Sequence, residues 1–191
     1  MLPTFYTKRL IIRPINIRDA KDMYEYATDP RVGPYAGWEP HRSIEETKQI
    51  INMMTGYKTR IGSETFAIVE RKSFKMIGTI ELYNLIPDFK AELGYSLNPN
   101  YWNLGYTTEA AFKILEHGFL KLNLKRIEAG TFIDNIGSQK VCEHLGMKYE
   151  GTQKNGYLRY DNRLFDKMVF GITDKEFFEH LRKVEESEER S

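Results

Sequence analysis

The ten residues Tyr101 to Ala110, Y-W-N-L-G-Y-T-T-E-A, leave this chain fewer structural options than any other stretch of it. They follow Glu92 to Leu97, which reads as a strand closed by Asn98-Pro99-Asn100. They lead into Thr107 to Leu120, where Ala111, Ile114, Leu115, Gly118 and Phe119 recur at helical spacing. A strand, a Gly-containing turn and a helix start, in that order, expose several backbone N–H groups at the positive end of a helix dipole. That is a seat for a phosphate or pyrophosphate. Thr107 and Thr108 add hydroxyl donors without adding charge. A turn that merely starts a helix has the same local pattern, so the segment needs a second element before it specifies chemistry.

Elsewhere the pattern alternates between strand and helix. Arg9 to Pro14 reads as a strand, and Asn16 with Asp19 starts a helix that ends by Asp29-Pro30. Ser43 and Glu46 form a capping box for a helix whose apolar face is Ile50, Ile51 and Met54. Thr65 to Glu70 and Met76 to Leu82 are strands joined by the polar turn Arg71 to Lys75. Arg126 to Phe132 is a strand, and Ile136 to His144 is a short helix stopped at Gly146, a left-handed C′ position. Two further strands follow, Lys148 to Tyr157 and Leu164 to Ile172, and Thr173 with Glu176 caps a terminal helix. The chain has no repeat and no Pro/Gly/Ser linker, so it reads as one mixed α/β domain over 1–191, with 183–191 as a frayed charged tail.

Charge and composition exclude several classes. Lys plus Arg number 28 against 27 Asp plus Glu, so the chain lacks the basic footprint of a nucleic-acid binder. Cys142 is alone, its start lacks a signal-peptide layout, and no apolar run reaches a membrane span; a cytoplasmic location is expected. His41, His117, His144 and His180 show no ligand spacing, so no metal site is expected. No nucleophile elbow, P-loop lysine or dinucleotide fingerprint is present.

The second element lies one strand later. Asn135-Ile136-Gly137-Ser138 is followed by Val141, Cys142, Leu145, Gly146 and Met147. Together with the Tyr101–Ala110 segment, it resembles the acetyl-CoA signature of the GCN5-related N-acetyltransferase (GNAT) superfamily, most closely its ribosomal-protein N-terminal (alanine/serine) acetyltransferase-like branch. The opening T-K-R-L-I-I-R-P and the segment from Tyr35 through Trp38 and His41 to Thr47 resemble that branch too. Asn103 stands where the superfamily usually has Arg, Gln or Gly, and Asn tolerates the left-handed backbone such a turn needs.

The resemblance implies a GNAT fold: a central twisted mixed sheet with splayed middle strands, flanked by helices. It implies acetyl-CoA as acyl donor, with Tyr95, Ser96 and Leu97 holding the pantetheine arm through their backbone. Asn103, Leu104, Gly105, Tyr106, Thr107 and Thr108 would then carry the pyrophosphate. Asn135 would bond the pantetheine or support the amine, and Ser138 would protonate the leaving thiolate. Glu92 is the expected general base, with Glu81 its rival, and Tyr35, Trp38 and His41 are expected near the acceptor. The partner is an amine acceptor, a protein N-terminus or a small molecule such as a polyamine, amino acid or antibiotic. A monomer or homodimer is expected. A non-catalytic acyl-CoA-binding module is the remaining alternative.

Overall fold

The computed structural model describes residues 2–56 and 62–188. Eight strands form a single sheet in the order β1-β2-β3-β4-β5-β6-β8-β7. They are β1 (Phe5–Tyr6), β2 (Leu10–Pro14), β3 (Glu64–Glu70), β4 (Met76–Ile86), β5 (Lys90–Leu97), β6 (Arg126–Phe132), β7 (Lys148–Leu158) and β8 (Leu164–Thr173). Every neighbouring pair is antiparallel except β5 and β6, which run parallel because a helix crosses over between them. The helices are α1 (Ala20–Ala27), α2 (Gly33–Ala36), α3 (Ile44–Thr55), α4 (Tyr106–Leu120), α5 (Ile136–His144) and α6 (Asp174–Glu188).

The helix starts follow their capping chemistry. Asn16 Oδ1 accepts from the Arg18 N–H, and the Asp19 carboxylate accepts from the Asn16 N–H, closing a capping box one short 3₁₀ turn ahead of α1. At α3 the reciprocal arm is displaced by one residue. Ser43 Oγ accepts from the Glu46 N–H, but Glu46 reaches the Arg42 N–H at 2.6 Å. At α5 the expected stop is present: Gly146 has φ 77°, and the Met147 N–H bonds Cys142 O at 3.0 Å. Three elements go beyond the sequence pattern. Two-residue β1 and four-residue α2 are too short to carry a period, and β4 continues four residues past Leu82. Of the charged tail, 183–188 belongs to α6, while 189–191 lie outside the described residues.

Two cores lie on opposite faces of the sheet. The larger joins Ile12, Phe66, Ile80, Leu82, Leu93 and Ile127 to the stripe Ala111, Ile114 and Leu115 of α4, Cys142 of α5 and Phe177 of α6. The smaller sets Met23 and Tyr26 of α1 and Ile51 of α3 on Ala67, Val69 and Met76 of β3 and β4. Each fully buried aliphatic or aromatic side chain contributes about 1.5–3 kcal/mol, so these two clusters supply the main folding force. On the second face the apolar cover ends at β4; across β5, β6 and β8 the same face carries Glu92, Glu128 and Lys167.

Glycine fixes the spacing at the middle of the sheet. A Cβ on Gly78 of β4 would stand 2.3 Å from Ser96 O and 3.1 Å from Leu97 Cα, both backbone atoms of β5. Gly78→Ala therefore forces β5 away from β4. A destabilisation of about 1–3 kcal/mol is expected, read as a lowered midpoint in thermal or denaturant unfolding.

Candidate active site

β5 and β6 pair only through Lys90↔Arg126, Ala91↔Ile127 and Glu92↔Glu128. Beyond that point β5 stays with β4 as far as Gly78↔Leu97, and β6 stays with β8 as far as Phe132↔Lys167. Each strand follows its outer partner, so the two part and a cleft of about 680 Å³ opens between them. The Asn98 N–H bonds Ile77 O on the β4 side at 2.8 Å. Strand alternation then turns the backbone of Ser96 toward β4 and that of Tyr95 and Leu97 toward the cleft. Trp102 closes the end of this edge by donating its indole N–H to Leu97 O at 2.8 Å.

The turn into α4 provides the second wall. Asn103 has φ 59° and Gly105 φ 77°, so two left-handed residues flank Leu104. The asparagine thus adopts the conformation for which a glycine is the commoner choice. The Glu109 N–H bonds Gly105 O at 3.0 Å, and Gly105, the N-cap, has no side chain with which to cap the turn. The N–H groups of Tyr106, Thr107 and Thr108 therefore have no intrahelical partner, and all three residues line the cleft. Leu104 does not line it; its side chain is exposed and its carbonyl turns away.

The third wall is the start of α5. Asn135 Oδ1 accepts the Ser138 N–H at 3.1 Å and so caps the helix. Ser138 Oγ lies 2.8 Å from the Tyr95 hydroxyl, which also reaches Ser138 O at 3.2 Å. This contact joins β5 to α5 across the cleft. Burial raises the Tyr95 hydroxyl well above the usual phenol range, so it stays protonated. Cys142 stands behind it, with Sγ 3.9 Å from the hydroxyl, and burial pushes its thiol up to about 11.

The two carboxylates differ sharply. Burial alone would raise Glu92, but Asn84 (2.9 Å), Lys167 (3.0 Å) and Tyr83 (3.1 Å) all donate to it, and the net effect holds it below the ordinary carboxylate range. Lys167 reaches it from β8 across Gly130, where a Cβ would meet the lysine chain at 2.0 Å. Neither Glu92 nor Glu81 lines the cleft. Among the described residues Glu81 has a single hydrogen-bond donor, Thr65 Oγ1 at 3.1 Å, and burial raises its carboxyl. Its other oxygen stands 3.3 Å from the place of a Cβ on Gly94, so it overhangs β5 two residues from cleft-lining Ser96.

Of the three residues expected near an acceptor, the structure brings only Tyr35 to the cleft. Its hydroxyl lies 3.5 Å from Asp134 at the end of β6. Trp38 packs on His41, with ring centroids 5.1 Å apart. His41 is buried against Thr47 at 2.8 Å, and burial lowers its pKa; both residues shape the turn after α2 rather than the cleft wall. That turn is tied to the far hairpin by the Tyr157 hydroxyl, which donates to Gly37 O at 3.2 Å. Sequence reasoning missed Arg31, Tyr101, Asp134, Lys140 and His144 as lining residues. The last two were accessible to it, since Ile136, Lys140 and His144 fall on one helical face. Among the described residues no three His, Cys, Asp or Glu gather to hold a metal, and no helix is long and apolar enough to cross a membrane.

Comparison with known proteins agrees with this geometry. Residues 9–148 match the family model of the acetyltransferase (GNAT) domain. An uncharacterized N-acetyltransferase, YnaD, of Bacillus subtilis is 35% identical over 171 residues, covering 90% of this chain and 97% of that protein. An uncharacterized N-acetyltransferase, p20, of Bacillus licheniformis is 31% identical over 178 residues, covering 92% and 99%. Among solved structures, a ribosomal-protein-S5-alanine acetyltransferase from Vibrio fischeri superposes with a TM-score of 0.75 at 26% identity, covering 91% of this chain and 97% of that one. A parted strand pair, a donor-rich turn and a matching family model converge on one conclusion: the chain belongs to the GNAT family of N-acetyltransferases, enzymes whose acetyl donor is acetyl-CoA.

Proposed function

We propose that the chain transfers the acetyl group of acetyl-CoA to the N-terminal α-amine of a protein, within a single domain spanning 1–191. The observation that carries this reading is the cleft between β5 and β6, which opens beside a sheet face that, among the described residues, no helix core covers. A narrow slot suits a pantetheine arm, and open ground beside it suits a macromolecular acceptor better than an enclosed pocket would. The Vibrio fischeri relative, described as acting on a ribosomal protein, supports the same reading.

In this reading the main chain of Tyr95 and Leu97 pairs with the pantetheine, Ser96 between them keeping its backbone on β4, and the Leu97 N–H donates to the thioester oxygen. Gly105 to Thr108 hold the pyrophosphate, with Asn103 setting the turn. Asn135, its oxygen engaged in the cap, turns its amide N–H₂ to the pantetheine. Tyr35 borders the acceptor's entry. The amine attacks the thioester carbonyl, the C–S bond breaks, and the thiolate takes a proton from Ser138 Oγ, which is held by Tyr95 and regains a proton from water at the open cleft. Glu81, through water, accepts the proton lost by the amine. It suits this role better than Glu92, because a base must be free to gain a proton and Glu92 is already held by three donors.

Three outcomes test the scheme. Release of free coenzyme A from acetyl-CoA should be faster with peptides bearing a free N-terminus than with N-blocked peptides, amino acids or polyamines. A preference for free small amines would transfer the reading to a small-molecule acceptor. Ser138→Ala should lower kcat by roughly 10²-fold while the KM for acetyl-CoA changes little. Glu81 must be ionised to work, and burial raises its pKa. Activity should therefore fall as pH drops through a value above the ordinary carboxylate range, and Glu81→Gln should lower kcat by roughly 10²–10⁴-fold and remove that limb of the profile. A Glu81→Gln enzyme with a wild-type pH profile excludes Glu81 as the base.

A further inference from the structure

Arg9 lies outside the cleft lining, yet it holds both the turn before α4, through Leu104 O, and the first turn of α4, through Glu109. Its Nε pairs with Glu109 Oε2 at 2.6 Å, and its own N–H donates to Glu109 Oε1 at 2.9 Å. Its Nη1 donates to Leu104 O at 2.8 Å, and its guanidinium lies over the Tyr106 ring, 4.3 Å from the centroid. Thr7 Oγ1 completes the hold on Glu109 at 2.6 Å. The short β1–β2 connection is thus bolted to the start of α4, about one hundred residues away in sequence.

Two consequences follow for whatever binds the turn. The first is geometric. In a trans peptide the C=O and the following N–H point in opposite directions. Drawing Leu104 O outward to Arg9 aims the Gly105 N–H the other way, and Gly105 lines the cleft. No cis bond intervenes. The second is electrostatic. Glu109 sits in the first turn of α4, close to the N–H groups that would meet an anion, and an unpaired carboxylate there would repel one. Arg9 neutralises it, and hydrogen bonds from Thr7 and Arg9 keep the carboxyl ionised below its usual range despite partial burial.

We propose that Arg9 is a positioning residue for the diphosphate of the donor: through Leu104 O and Glu109 it presets the turn's donors without touching the ligand. The inference rests on the reading of Gly105–Thr108 as the pyrophosphate seat. Lysine cannot replace it, since one ammonium cannot span both the carboxylate and the carbonyl as the planar fork does.

The test compares two donors on the full chain: acetyl-CoA, and S-acetyl-pantetheine, which lacks the diphosphate. Removal of a charge-assisted network of this kind should raise the KM of Arg9→Ala for acetyl-CoA about ten- to hundredfold. The preference for acetyl-CoA over S-acetyl-pantetheine, as a ratio of kcat/KM, should fall by a similar factor, with Arg9→Lys in between. A residue that only stabilises the fold would lower both donors together and leave the ratio at its wild-type value, and that result overturns the proposal. So does an acetyl-CoA KM that stays within about twofold of wild type. Where Arg9→Ala folds poorly, calorimetric titration of Arg9→Lys with coenzyme A and with pantetheine gives the same ratio. A wild-type enzyme that shows no preference for acetyl-CoA would instead overturn the reading of the turn, separately from the role of Arg9.

Discussion

Backbone hydrogen bonds that are withheld shape this molecule as much as those that are made. After Glu92 and Glu128 the two central strands stop pairing, although each runs on for several residues beside its outer neighbour. Unpaired strand edges are costly inside a protein, because every N–H and C=O there needs a partner. An extended ligand with amides of its own would supply them, and the pantetheine arm of coenzyme A has that chemistry. The turn, the capped start of α5 and the Tyr95–Ser138 contact all lie along this parting, and each would lose its purpose if β5 and β6 paired to their ends.

The two faces of the sheet divide the work. One is dry, with α4, α5 and α6 packed on a continuous apolar layer. The other is dry only as far as β4 and then turns ionic. Lys167 crosses Gly130 to reach Glu92, Lys90 meets Glu128 at 3.4 Å, and Arg126 pairs with both Glu128 and Glu150. Positive and negative groups balance across this floor, in keeping with a net charge of only +1. Such a surface repels neither an ammonium nor a peptide.

The sequence showed much of this and missed a definite remainder. Strands and helices with a clear period were legible, and so was the left-handed turn, because Asn103 and Gly105 are the residues that tolerate it. The Asn135–Ser138 element was legible as a helix start. The sequence put Glu92 ahead of Glu81 as the base, blind to Lys167, which reaches Glu92 from 75 residues away over a glycine. Trp38 and His41 were expected near the acceptor, and the structure packs them in the turn after α2, with His41 against Thr47, a contact that no local pattern announces. The clamp from Arg9 to Glu109 was invisible for the same reason: no local pattern encodes a contact across the fold.

Cys142 has a consequence of another kind. The reaction releases a thiol, and the one cysteine of the chain lies just behind Tyr95, one layer beneath the cleft lining. A reactive cysteine there would invite exchange, linking product to enzyme as a mixed disulfide. Full burial and a thiol held at about 11 deny it the thiolate that such exchange requires.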